Sequence, residues 1–119
     1  MWLLTSIGFF SVVCKPEDCE RRTLTVRARV RCDLETLHDR YLPSLNEIQE
    51  SELSDYRYRA IAPRADFARA LSRLALELDY PNFKAEIARR QGPDRAALYE
   101  EVWQMLAVLA VNERSWLAD

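Results

Sequence analysis

The chain has 119 residues and a mass of 13.9 kDa, with 49% hydrophobic and 30% charged residues. This length sets an expectation of one domain, 1–119, and the apolar content excludes a mainly disordered chain. Seventeen Lys and Arg against nineteen Asp and Glu, a net charge of −2, exclude a general polyanion binder but not a local basic patch, and no apolar run reaches the roughly 20 residues of a membrane-spanning helix.

The stretch 1–13 is apolar. No Lys or Arg precedes it and no small-x-small cleavage site follows before Lys15, so it reads as a buried strand of a cytoplasmic protein, not a signal peptide. Residues 3–14 (LLTSIGFFSVVC) hold no charge and are rich in branched and aromatic types, which predicts a strand. Lys15 to Arg22 (KPEDCERR), with Pro16 as a breaker, predicts a hairpin loop. Residues 23–31 alternate strictly. Leu24, Val26, Ala28 and Val30 point one way and Thr25, Arg27, Arg29 and Arg31 the other, the pattern of a half-buried strand. Folding about the middle of the loop sets Val13 opposite Leu24, Phe9 opposite Ala28 and Ile7 opposite Val30 on the apolar face. The same register sets Phe10 opposite Arg27 on the other face.

Asp33 is read as the N-cap of a helix over 34–41, ended by Pro43. Residues 45–50 predict a weak edge strand. Residues 56–61 (YRYRAI) alternate again, Tyr56, Tyr58 and Ala60 against Arg57, Arg59 and Ile61. A strongly amphipathic helix follows over 65–78, Asn82 caps a short helix over 83–90, and Gly92-Pro93 introduces a long helix over 94–112 carrying Leu98, Val102, Met105, Leu106 and Leu109.

This order predicts an α+β fold. Its sheet has four antiparallel strands, ferredoxin-like with the last strand moved to the N-terminus (order 1-2-4-3), and two extra C-terminal helices follow. Strands 23–31 and 56–61 become central neighbours, so Arg27, Arg29, Arg31, Arg57 and Arg59 gather on the face away from the first two helices, with Phe10 beside Arg27. Guanidinium groups on adjacent strands repel unless anions compensate, which points to an acidic protein partner, or to nucleic acid or a small anion as the alternative ligand. The competing reading pairs these arginines with Glu47, Gln49 or Glu50 of the edge strand, or with acidic residues of the last helix such as Glu100 and Glu101. A second candidate is the turn Asp79-Tyr80-Pro81-Asn82-Phe83-Lys84, where Asn82 is either only a cap or, with an exposed Lys84, part of a small recognition site. Trp103 is expected in the core and Trp116 exposed or docked on a partner protomer.

Three cysteines, an odd number, suggest reduced thiols, although Cys14 and Cys19 flank the predicted loop at a spacing where a bridge is conceivable. With Cys32 and the single His38 they match no metal-site spacing, so no metal and no cofactor is assigned. The only glycines are Gly8 and Gly92, too few for a phosphate-binding loop. His38 and Asp39, neighbours on a helix, are expected to point apart. No catalytic residue is assigned.

The segments Met1-Trp2-Leu3, Gly8 to Val13 (GFFSVV), Leu24 to Arg29 (LTVRAR), Asp55 to Arg59 (DYRYR) and Asp79 to Lys84 (DYPNFK) are similar to those of a group of small bacterial proteins to which no activity is attached. The resemblance runs nearly end to end. It implies a bacterial, cytoplasmic, single-domain protein and transfers no catalytic residue. The expected function is a non-catalytic protein-interaction or regulatory module that uses the Arg-bearing face, with a protein partner or a second copy of itself and no membrane association.

Overall fold

The computed structural model describes residues 1–113, so the expectation for Trp116 lies outside the described residues. The chain, expected as one domain, divides into two compact units, Met1–Asp79 and Tyr80–Asp119. No helix among the described residues is long and apolar enough to cross a membrane.

The first unit is α+β, with an antiparallel sheet of five strands where four were expected. Its strands are β1 (Trp2–Thr5), β2 (Gly8–Val13), β3 (Thr23–Ala28), β4 (Gln49–Glu50) and β5 (Tyr58–Pro63), in the order β1-β2-β3-β5-β4. The extra strand arises because the apolar run 3–14 folds back on itself at Ser6-Ile7. Thr5 makes the turn: its Oγ1 donates to the Gly8 carbonyl and accepts from the Ile7 and Gly8 amides. Gly8 is required there. A Cβ at this position would lie 2.5 Å from Asp33 Cγ, and the Asp33 carboxylate uses that space to accept from the Phe9 amide at 3.1 Å.

The predicted loop 15–22 is instead a helix, α1 (Pro16–Arg21). Pro16 at its first position and Asp18 at its third are helix-start chemistry, and Asp18 Oδ2 accepts from the Lys15 amide at 2.8 Å. The inserted helix changes the register. Ser11 pairs with Arg27, Val12 with Val26 and Val13 with Thr25, one residue away from the expected alignment. Phe10 therefore turns inward and is 2% exposed, while Phe9 takes the outer face.

Helices α2 (Arg31–Arg40) and α3 (Arg64–Leu76) cover the inner face, where Phe10, Val12, Val26, Ala28, Ala60 and Ala62 meet Leu34, Leu37, Phe67 and Ala70. Helix α2 begins before Asp33, so this residue is not its N-cap. The second unit is a helical hairpin of α4 (Phe83–Gln91) and α5 (Pro93–Leu106), followed by a short α6 (Val108–Val111). Asn82 does cap α4, its Oδ1 accepting from the Ala85 amide at 2.9 Å. Tyr99 and Ile87 are buried between α4 and α5.

Candidate functional site

Residues directly opposite in a sheet share a face. The registers Trp2 to Ser11, Ser11 to Arg27, Arg27 to Arg59 and Arg59 to Gln49 therefore draw one row across all five strands, on the face opposite α2 and α3. At its centre two guanidinium-bearing residues stand side by side on neighbouring strands. Arg27 donates from Nη2 to Ser11 Oγ at 2.7 Å, but the Nε of Arg27 and of Arg59 are buried with no hydrogen-bond partner among the described residues. Burying such a donor unsatisfied costs about 1–3 kcal/mol.

Tyr56 packs against the centre of the row, beside the C-terminal end of β3. The guanidinium carbons of Arg27 and Arg29 lie 4.6 and 5.0 Å from its ring centroid, and Phe9 lies 6.4 Å away, itself edge-on to Trp2 at 5.7 Å. These cation–π contacts hold two arginines without neutralising them. Tyr56 was expected on the apolar face with Tyr58 and Ala60. The chain bends at residues 54–56, before β5 begins, so strand alternation does not reach it.

At the other end of β3, α1 lies over Thr23 and Thr25. Asp18, 2% exposed, accepts from Thr23 Oγ1 at 2.6 Å and Thr25 Oγ1 at 2.8 Å. Burial pushes its carboxyl up, but the hydrogen bonds from Thr23, the Lys15 amide and Thr25 outweigh it and hold the group below the usual carboxylate value. Between α1 and β5 is an open hollow of about 220 Å³. It is lined by Lys15, Arg21 and Arg59, by the amides Asn46 and Gln49, and by the acids Glu17 and Asp18.

The expected convergence of five arginines is thus reduced to Arg27, Arg29 and Arg59, none of which has an acidic partner among the described residues. Arg31 is the first residue of α2 and pairs with Glu35 at 3.6 Å. Arg57 pairs with Glu50 at 2.6 Å, the edge-strand pairing weighed as the competing reading, and hydrogen bonding to Glu50 raises its pKa. Phe10 belongs to the core.

The Asn82–Lys84 turn is internally satisfied. Asn82 is used as a cap, and Lys84, only partly exposed, pairs with Glu100 at 2.5 Å and lies 4.6 Å from the Trp103 ring centroid. Trp103, expected in the core, is 60% exposed. His38 and Asp39 do not point apart: His38 Nδ1 lies 2.8 Å from Asp39 Oδ1, both on the surface. No metal-binding cluster of three or more His, Cys, Asp or Glu occurs among the described residues.

No family model, curated protein or solved structure is significantly similar to the chain.

Proposed function

We propose that the protein is a bacterial, cytoplasmic binding module without catalysis of its own, and that the outer sheet face of its first unit takes an acidic segment of a protein partner. The observation that carries this reading is the adjacency of Arg27 and Arg59. Two like charges directly opposite on neighbouring strands destabilise a sheet, and each holds a buried Nε donor without an acceptor. An incoming carboxylate would offset the two charges, meeting the guanidinium groups in the bidentate geometry they favour. Trp2, 67% exposed at the end of the same row, offers an apolar anchor beside the charges.

Nucleic acid on the same face is the second reading, favoured by the aromatic side chains Trp2, Phe9 and Tyr56. It is weaker because stacking of bases needs free ring faces. Tyr56 is 8% exposed beneath Arg27 and Arg29, and Phe9 is turned against Trp2 and Tyr56. Fluorescence anisotropy with a labelled glutamate-rich peptide and a labelled oligothymidylate separates the two. Saturable peptide binding that falls roughly tenfold or more in Arg59→Gln supports the proposal. Preference for the oligonucleotide, with a steep loss of affinity as salt rises, replaces it by the second reading.

A second copy of the chain is also proposed as a partner, through the second unit. Leu98, Val102 and Met105 of α5 are spaced four and three apart, the spacing of a coiled-coil seam, and Leu98 and Met105 are 57% and 73% exposed. Light scattering should give twice 13.9 kDa, and a species at 13.9 kDa would reject the dimer.

A further inference from the structure

The two thiols nearest the site are not placed independently. Cys14 precedes the residue before α1, and Cys19 is the fourth residue of that helix. These are the positions at which side chains flanking a helix start fold onto each other, where apolar residues usually sit. Here the geometry brings two sulfurs to 3.8 Å, and both side chains are exposed. A third group completes the cluster: Arg64 Nη2 lies 3.2 Å from Cys14 Sγ. Arg64 is held there by its own backbone, because its amide donates to the carbonyl of Arg22, the residue that closes α1.

We infer that Cys14 and Cys19 form a reversible disulfide, with Cys14 as the attacking thiol and hydrogen peroxide or an organic hydroperoxide as the oxidant. The inference is independent of the proposed partner. The guanidinium of Arg64, 3.2 Å from Cys14 Sγ, singles out that sulfur as the one that attacks. The Cys19 thiol is pushed up by its hydrogen bond to Cys14 and then by the charge of Cys14, so Cys19 retains its proton until Cys14 has reacted. Two steps balance the chemistry. The Cys14 thiolate attacks the terminal peroxide oxygen, the O–O bond breaks, and the departing hydroxide, or the alkoxide of an organic hydroperoxide, takes up a proton to leave as water or the alcohol, giving Cys14 sulfenic acid. Cys19 sulfur then attacks Cys14 sulfur, the S–O bond breaks, and the hydroxyl leaves as water with the Cys19 proton. Two electrons pass from the thiols to the peroxide. The sulfurs must close from 3.8 Å to about 2.05 Å, a movement open to surface side chains on an already folded turn. The closed ring spans only Cys14 to Cys19, so it adds little chain constraint and suits a reversible switch better than a permanent staple.

The bond would act on the binding face through α1. Asp18, next to Cys19, is tied to Thr23 and Thr25, and Arg21 on the same helix lines the hollow beside Arg59.

The test treats the full chain with one equivalent of hydrogen peroxide. Free thiols should fall from three to one, leaving Cys32, and the mass should drop by two hydrogen atoms with no dimer formed. Proteolysis after Glu17 should then leave the Cys14 and Cys19 fragments joined until a reductant is added. In Cys19→Ser, a dimedone probe should trap the sulfenic acid on Cys14 faster than on Cys32, and Arg64→Gln should slow that labelling roughly tenfold. Phenylarsine oxide, which bridges neighbouring thiols, should protect two of the three from alkylation without any oxidant. Equal reaction of Cys14 and Cys32, three thiols surviving, or linkage only between chains would overturn the inference.

Discussion

Replacing Asp18 by Ala removes one carboxylate that holds α1 to the sheet. It accepts three hydrogen bonds, from the Lys15 amide at 2.8 Å, Thr23 Oγ1 at 2.6 Å and Thr25 Oγ1 at 2.8 Å. A hydrogen bond to a charged group contributes about 1.5–3 kcal/mol, but three on one carboxylate are not additive, and removing a buried charge returns part of its desolvation cost. A net loss of about 3 kcal/mol follows, which for a domain of this size lowers Tm by roughly 12–24 °C. Asp18→Asn keeps one acceptor oxygen and should lose less. The pH dependence gives an independent check. The folded-state pKa of Asp18 lies below its unfolded value of about 3.9, so its stabilisation is complete above that value and is lost as pH falls through the folded-state pKa. Thermal melts followed by circular dichroism should therefore show wild type and Asp18→Ala far apart at neutral pH and converging below about pH 4. A variant melting within a degree or two of wild type at neutral pH, or a gap unchanged by acid, would refute the role given to this carboxylate.

Two further substitutions test the sheet itself. Phe10→Ala should destabilise the first unit by about 3–5 kcal/mol in urea unfolding, with Phe9→Ala costing clearly less, and the reverse order would restore the register that sets Phe10 beside Arg27. Gly8→Ala puts a methyl group 2.5 Å from Asp33 Cγ, so it should cost about 1–3 kcal/mol and expose the Phe9 amide to faster hydrogen exchange; unchanged exchange there would contradict the close approach.

The sequence was readable where polarity alternates. Thr23 to Ala28 shows its two faces directly, and its pairing with the strand that carries Arg59 put two arginines together as expected. It was not readable where both faces are apolar. In Phe9-Phe10 and Val12-Val13 either residue of each pair satisfies the inner face, and the one polar signal between them is Ser11, whose hydroxyl accepts from Arg27 on the outer face. The turn at Ser6-Ile7 depends on Thr5 Oγ1 and lacks the usual turn dipeptides, which is why one strand was expected where two occur. KPEDCERR reads as a loop by charge, yet Pro16, Asp18 and the terminal arginines carry the helix-start and helix-end chemistry that could have identified α1. Tyr56 was misplaced because alternation was carried past a bend. The satisfied state of Lys84 rests on Glu100 and Trp103, residues far along the chain that periodicity alone does not bring to it.

The account rests on an acidic ligand meeting the neighbouring guanidinium groups of Arg27 and Arg59. Nitrogen-15 spectra of the arginine Nε–H groups, recorded while a glutamate-rich peptide is titrated in, test this directly. The Nε signals of Arg27 and Arg59 should shift together and saturate, while those of Arg57 and Arg31, already paired with glutamates, stay in place. Arginine signals that all drift alike, or Arg27 and Arg59 signals that do not move, would contradict it.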